Sequence, residues 1–168
     1  MSTSAKHPAD IAAARAPSVA DGENAARQRW MGLLARAPAD RVTAYCESFA
    51  EKPGYRRLRG PEQGLIMVRG RAGGTGKPFN MGEMTVTRCT VRLDNGVVGH
   101  GYVAGRDGAH AEASALCDAL LQDAAHEAAV MRDLIEPLAC READGRAETR
   151  GKAAATKVDF FTMVRGDN

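Results

Sequence analysis

The sequence predicts an α+β domain, an antiparallel β-sheet of about four strands packed with an N-terminal helical hairpin and C-terminal helices. Three observations predict it. Apolar residues recur at helical spacing before Pro53 and again after Asp107, whereas the segment between them switches to short runs bounded by glycines. An Asn95-Gly96 pair inside that middle segment marks a β-hairpin. The 168 residues suffice for one hydrophobic core. Residues 23–168 are therefore expected as a single domain. Residues 1–22 mix Ala, Ser, Pro and charges without the apolar centre of a secretory signal, and are expected to form a disordered extension.

The first ordered element is expected near Glu23, because Trp30, Leu33, Leu34 and Ala37 form one stripe of an amphipathic helix. Pro38 ends it and opens a second helix, whose stripe is Val42, Tyr45, Cys46 and Phe49. Pro53-Gly54 stops that helix. Tyr55–Arg59 and Leu65–Arg71 are expected as two strands joined by a turn at Gly60-Pro61-Glu62-Gln63-Gly64. A flexible loop follows at Gly73-Gly74-Thr75-Gly76-Lys77-Pro78.

Strands over Glu83–Asp94 and Val97–Arg106 flank the Asn-Gly pair. A two-residue type I′ turn there sets Asp94 opposite Val97 and Val91 opposite His100. One face of the hairpin then carries Cys89, Val91, Leu93, Val98, His100 and Tyr102 and belongs to the core. The other carries Arg88, Thr90, Arg92, Gly99, Gly101 and Val103, polar and open above the glycines. Met84 and Val86 fall on the polar side, which calls for a bulge near Thr87 or a covering element.

Asp107 is expected to cap the next helix, with Ala109, Ala113, Leu116, Leu120 and Ala124 as its buried stripe. Val130, Met131, Leu134, Ile135 and Leu138 mark another helix, bent or ended at Pro137. Ala139–Lys157 is polar, holds Gly145 and Gly151, and is expected to be loosely structured. Val158–Val164 is apolar again, either a last core element or an arm laid on a partner.

Composition narrows the function classes. Apolar residues make up 44% and charged residues 26% of the chain, ordinary for a globular protein. Only 5% is aromatic, so the core rests on small aliphatic side chains that bury less area each. The formal charge is +2, yet Tyr55–Arg92 holds Arg56, Arg57, Arg59, Arg69, Arg71, Lys77, Arg88 and Arg92 against Glu62 and Glu83. That asymmetry suits an anionic ligand or an acidic partner surface. Few aromatics interleave with those cations for base stacking, so nucleic acid is not expected. No apolar run approaches the roughly 20 residues needed to cross a bilayer. Cys46, Cys89, Cys117 and Cys140 are scattered, as reduced thiols of a cytoplasmic protein would be.

Candidate sites divide into weak and excluded. Gly73–Lys77 is not a phosphate-binding Walker loop, because Arg71 stands at the first required glycine and Pro78 at the closing hydroxyl. Backbone N–H groups of Gly73, Gly74, Thr75 and Gly76 beside Arg71 and Lys77 could still hold an oxyanion. His110-Ala111-Glu112 has the H-x-E order of zinc deaminases, without the C-x-x-C pair that completes their metal site. No metal is expected. His110 beside Arg106 at a helix N-terminus is an anion-contact candidate. Cys89 and His100 sit diagonally on the predicted face, about 7–8 Å apart, too far for a thiolate–imidazole pair.

Four stretches carry a resemblance to a known family. Arg27-Gln28-Arg29-Trp30-Met31 resembles the opening of the PhnG family, and Gly73-Gly74-Thr75-Gly76 its glycine loop. Gly105-Arg106-Asp107 with His110-Ala111-Glu112 is similar to its strand-to-helix junction. Val158-Asp159-Phe160-Phe161-Thr162-Met163-Val164-Arg165-Gly166-Asp167-Asn168 resembles its C-terminal signature. The resemblance implies a subunit of the bacterial carbon–phosphorus lyase core complex, with PhnH, PhnI and PhnJ as partners and ABC-type ATPase subunits associated. It implies transfer of an alkylphosphonate onto ribose C1 of ATP with release of adenine. ATP is then a substrate of the complex, and this chain holds no cofactor and no complete active site. Arg71, Gly73, Gly74, Thr75, Gly76, Arg106 and His110 are the expected substrate contacts; Phe160, Phe161, Met163 and Val164 are the expected partner contacts.

Overall fold

The computed structural model describes residues 19–49, 53–73 and 75–156. Helix α1 spans Val19–Arg36 and so begins four residues before the expected start. Its stripe lies where the spacing puts it: Leu33 and Leu34 are buried, and Trp30 and Ala37 pack against the core. Helix α2, Ala39–Glu47, follows directly, with Pro38 as its first flanking residue. Val42 is fully buried, while Tyr45, Cys46 and Phe49 rest on the core's edge. The Tyr45 and Phe49 rings meet edge to face with centroids 5.2 Å apart, a favoured aromatic geometry. Helix α2 ends at Glu47, before Pro53, where Ser48 closes it by hydrogen bonding to Ala44 and Tyr45 carbonyls.

Among the described residues the sheet has three strands, against about four expected, in the order β1 (Tyr55–Arg71), β2 (Pro78–Leu93), β3 (Val98–Ala104), all antiparallel. The expected turn at Gly60–Gly64 does not form. The chain runs straight through it as one strand, with the ladder slipping between Arg57 and Arg59 and again between Arg59 and Glu62. Pro61 lacks an N–H, and a bulged edge strand is where a sheet tolerates that loss. The irregularity near Thr87 is thus on the facing strand, not at Thr87 itself.

β3 pairs with β2 only from Val86 to Arg92. Beyond Val86, the β1–β2 ladder continues alone to Arg71↔Pro78. Those residues project as a two-stranded ribbon roughly 25 Å long at about 3.3 Å per residue.

The Asn95-Gly96 hairpin forms in another register. Leu93 N–H donates to Val97 O and Gly96 N–H to Leu93 O, both at 2.9 Å, leaving a three-residue loop. Gly96 alone carries the positive φ, +94°, so the turn is type I closed by a glycine bulge. Arg92 therefore faces Val98, and Thr90 faces His100. One residue of slip turns all of β3 over. Gly99, Gly101 and Val103 are buried with Cys89, Val91 and Leu93, while His100 and Tyr102 are exposed.

The predicted space above the glycines is occupied by helix α3, Gly108–Leu120. A Cβ on Gly99 would collide with the Ala115 carbonyl and the Ala119 backbone; one on Gly101 would collide with the Ala111 carbonyl. Ala111, Ala115 and Ala119 recur every four residues, so a strip of methyl groups lies against bare strand backbone. Ala113, Leu116 and Leu120 of the expected stripe are buried too, whereas Ala109 and Ala124 are exposed. Asp107 caps the helix as expected, its carboxylate accepting from His110 N–H at 2.9 Å.

Helix α4 (Glu127–Val130) passes through a π-helical turn at Met131–Ile135 into helix α5 (Glu136–Ala155). Pro137 does not end the helix: it stands in the first turn of α5 directly after the π-helical turn, where the regular i→i−4 ladder is already interrupted. The polar stretch expected to be loose is this helix. Its Ala, Glu, Arg and Lys are strong helix formers, and Glu142–Arg146 and Glu148–Lys152 pair across one turn.

Candidate functional site

The glycine loop is the tip of the ribbon. Gly73 has φ +60°, and Gly76 N–H donates to Ala72 O at 2.9 Å. Arg71 Nη1 donates to Gly76 O at 3.1 Å, so this cation braces the turn from outside. Thr75 and Lys77 are exposed, and Gly74 lies outside the described residues. Arg69, Arg71 and Lys77 make the tip cationic.

Arg106 lies at the other end of the ribbon. Gly105, at φ +90°, donates its N–H to Thr85 O at 2.9 Å and accepts from Thr87 Oγ1 at 2.8 Å. Seven residues of β2 separate Thr85 from Pro78, roughly 23 Å of strand. Arg71 and Arg106 therefore do not converge within this chain. His110 is buried, and its Nε2–H donates to Leu34 O at 2.9 Å, which holds α3 to α1. Glu112 turns the opposite way, to Arg57 at 2.7 and 2.8 Å and to Tyr55 Oη at 2.9 Å. Burial, with the Glu112 carboxylate beside it, pushes the Tyr55 phenol up to about 12. His110 and Glu112 thus do not act together, and among the described residues no three His, Cys, Asp or Glu side chains converge as metal ligands.

Cys89 and His100, expected on one face, occupy opposite faces because of the hairpin register. Cys89 Sγ–H donates to Arg59 O at 3.3 Å on the buried side. His100 Nδ1 lies 3.2 Å from Thr90 Oγ1 on the exposed side.

Sequence reasoning missed the most connected polar residue. Asp118 is fully buried on α3. Its carboxylate accepts from Arg27 Nη2 at 2.7 Å, Trp30 Nε1 at 2.8 Å and the His100 backbone N–H at 2.9 Å. Gln122 Nε2 adds a longer contact at 3.3 Å. A buried charge persists when paired and hydrogen-bonded on every side, as here. The available signal was an aspartate inside an otherwise apolar helical run, Ala115–Leu121, with an Arg and a Trp one turn apart on α1.

The family model described as "Phosphonate metabolism protein PhnG" matches residues 25–166. A curated relative in Rhizobium meliloti (strain 1021), "Alpha-D-ribose 1-methylphosphonate 5-triphosphate synthase subunit PhnG", is 49% identical over 149 residues. That alignment covers 88% of this chain and 94% of the relative. The chain belongs to the PhnG family.

Two of the stretches that carried the PhnG resemblance are thereby given structural work. Arg27 and Trp30 secure the buried Asp118, and Asp107 caps α3 while His110 fastens it to α1. The C-terminal stretch with Phe160, Phe161, Met163 and Val164 lies outside the described residues. What this PhnG-family chain does expose is the ribbon. Leu65 is 64% exposed, Met81 66% and Met67 52%, with Phe79 and Met84 beside them. Apolar side chains gathered on a projecting element mark an interaction surface.

Proposed function

We propose that this chain is an auxiliary subunit of an α-D-ribose 1-methylphosphonate 5-triphosphate synthase, within a carbon–phosphorus lyase core complex of the cytoplasm. Together with PhnH, PhnI and PhnJ subunits, and associated ABC-type ATPase subunits, it supports transfer of an alkylphosphonate to ribose C1 of ATP as adenine leaves. ATP is a substrate of the complex. The chain supplies neither cofactor nor metal, and binds neither nucleic acid nor membrane. The observation that carries this reading is the near-full-length similarity to a synthase subunit of that name.

The chemistry supports an auxiliary role. Displacing adenine needs an acid near the base and negative charge near a cationic sugar. Among the described residues exposed Arg and Lys outnumber exposed Asp and Glu, and the carboxylates Glu112 and Asp118 are committed to Arg57 and Arg27. Arg71, Gly73, Gly74, Thr75, Gly76 and Arg106 then act on substrate at a boundary completed by a partner.

A second reading, a purely structural assembly subunit, is favoured by the separation of Arg71 from Arg106 and by the apolar ribbon. Reconstitution tests the main reading. The complex is purified with and without this chain and given ATP and methylphosphonate. Adenine release is expected only with the chain present. Equal release without it, or release by the chain alone, would overturn the proposal.

A further inference from the structure

We propose that Cys46 and Cys117 form a redox-active dithiol, a modification site at which a hydroperoxide converts the two thiols into an intramolecular disulfide. The Sγ atoms lie 3.5 Å apart, although the residues are 71 positions apart in sequence. Both are free thiols. A disulfide requires about 2.05 Å, so closure asks for a contraction of roughly 1.5 Å between α2 and α3. Cys46 stands in the penultimate position of the nine-residue α2, whose end is held by side-chain packing and one serine cap.

The two thiols are not equivalent. Cys46 is half-buried and lines an open cavity of about 240 Å³, together with Thr43, Tyr55, Arg57 and Glu112. A small oxidant can reach it there. Cys117 is fully buried beneath it. The hydrogen bond from the Cys117 thiol holds Cys46 below its ordinary value, against the opposing effect of burial. Donating that bond, together with burial, pushes Cys117 well above its own. Cys46 is thus the attacking sulfur and Cys117 the resolving one. Cys89 has no thiol partner, bonding instead to Arg59 O, and Cys140 is exposed on α5.

The steps balance. The Cys46 thiolate attacks one oxygen of the hydroperoxide and the O–O bond breaks, leaving a sulfenic acid. The departing hydroxide, or alkoxide, takes up the proton that Cys46 had released. Cys117 sulfur then attacks Cys46 sulfur, the S–O bond breaks, and water leaves with the Cys117 proton. Peroxide is reduced by two electrons and the dithiol is oxidised by two; thiol reductants reverse the change.

The test uses the full chain, freed of reductant and exposed to hydrogen peroxide, followed by denaturing alkylation and peptide mapping. The expected result is loss of two hydrogen masses, with the Cys46 and Cys117 peptides joined and dithiothreitol separating them. Cys117→Ser should leave a Cys46 sulfenic acid that dimedone traps. Both thiols alkylated as in the untreated chain, or a disulfide involving Cys89 or Cys140 instead, would overturn the proposal. The map of the unsubstituted chain decides this whether or not the variant folds.

Discussion

At the scale of single residues, the buried Asp118 carries more than any exposed arginine. Arg27 and Trp30 both point at it from α1, and the backbone N–H of His100 reaches it from β3. Removing Arg27 leaves the buried carboxylate with hydrogen bonds from Trp30 and the His100 backbone but without its counter-charge. Arg27→Ala should therefore cost about 3 kcal/mol of stability, read from the urea midpoint. Trp30→Phe keeps the Arg27–Asp118 ion pair but removes the indole donor and part of its packing, and should cost about 1–2 kcal/mol. Equal losses in the two variants would mean that packing, not charge, sets the energetics of this junction. None of these partnerships was visible in the sequence, because Asp118 and Arg27 are 91 positions apart and nothing in local spacing couples them. Local chemistry was readable: Asp107 caps α3 through its side chain, as its position before an apolar helical run required. His110 shows the limit, since a histidine at a helix start looks the same in sequence whether it faces solvent or Leu34.

At the scale of elements, periodic segments were legible and registers were not. The stripes of α1 and α2 fall where spacing placed them, because each has a single apolar face seeking one core. The Asn-Gly pair marked the hairpin, but two-residue and three-residue loops share that composition, and the choice between them reverses β3. Helix α5 was missed for a different reason: only Leu138 is buried, so the helix has little apolar stripe to find. The contact between α3 and β3 gives a sharp prediction. Gly101→Ala places a methyl group against the Ala111 carbonyl and should destabilise by about 2–3 kcal/mol. Gly145→Ala, in open space on α5, should instead stabilise by about 0.5–1 kcal/mol. The measurement is chemical denaturation of both variants beside the parent. The ribbon makes an opposite claim, because its apolar residues stabilise little in isolation. Leu65→Asp with Met81→Asp should leave the stability of the lone chain within about 0.5 kcal/mol. Its recovery with partner subunits in co-purification should fall by about tenfold or more.

At the scale of the whole molecule, the α+β class was readable from the change of period along the chain, and the sheet is smaller than expected because one bulged strand replaces two. The candidate substrate contacts, by contrast, scatter. Arg71 is at the ribbon tip and Arg106 at its root, so a common effect of the two on catalysis would require a partner that spans the ribbon. Arg71→Ala with Arg106→Ala should lower adenine release by the reconstituted complex about tenfold while its composition stays constant. Unchanged kinetics in an intact complex would assign both arginines to the surface alone. The alanine–glycine seam beneath α3 has a bearing on where chemistry can happen. With helix and strand pressed together at backbone distance, the seam between α3 and β3 has no room to admit a nucleotide. On the proposed reading, a reactant that this subunit helps to hold is met outside that seam, on a surface that a partner subunit would complete.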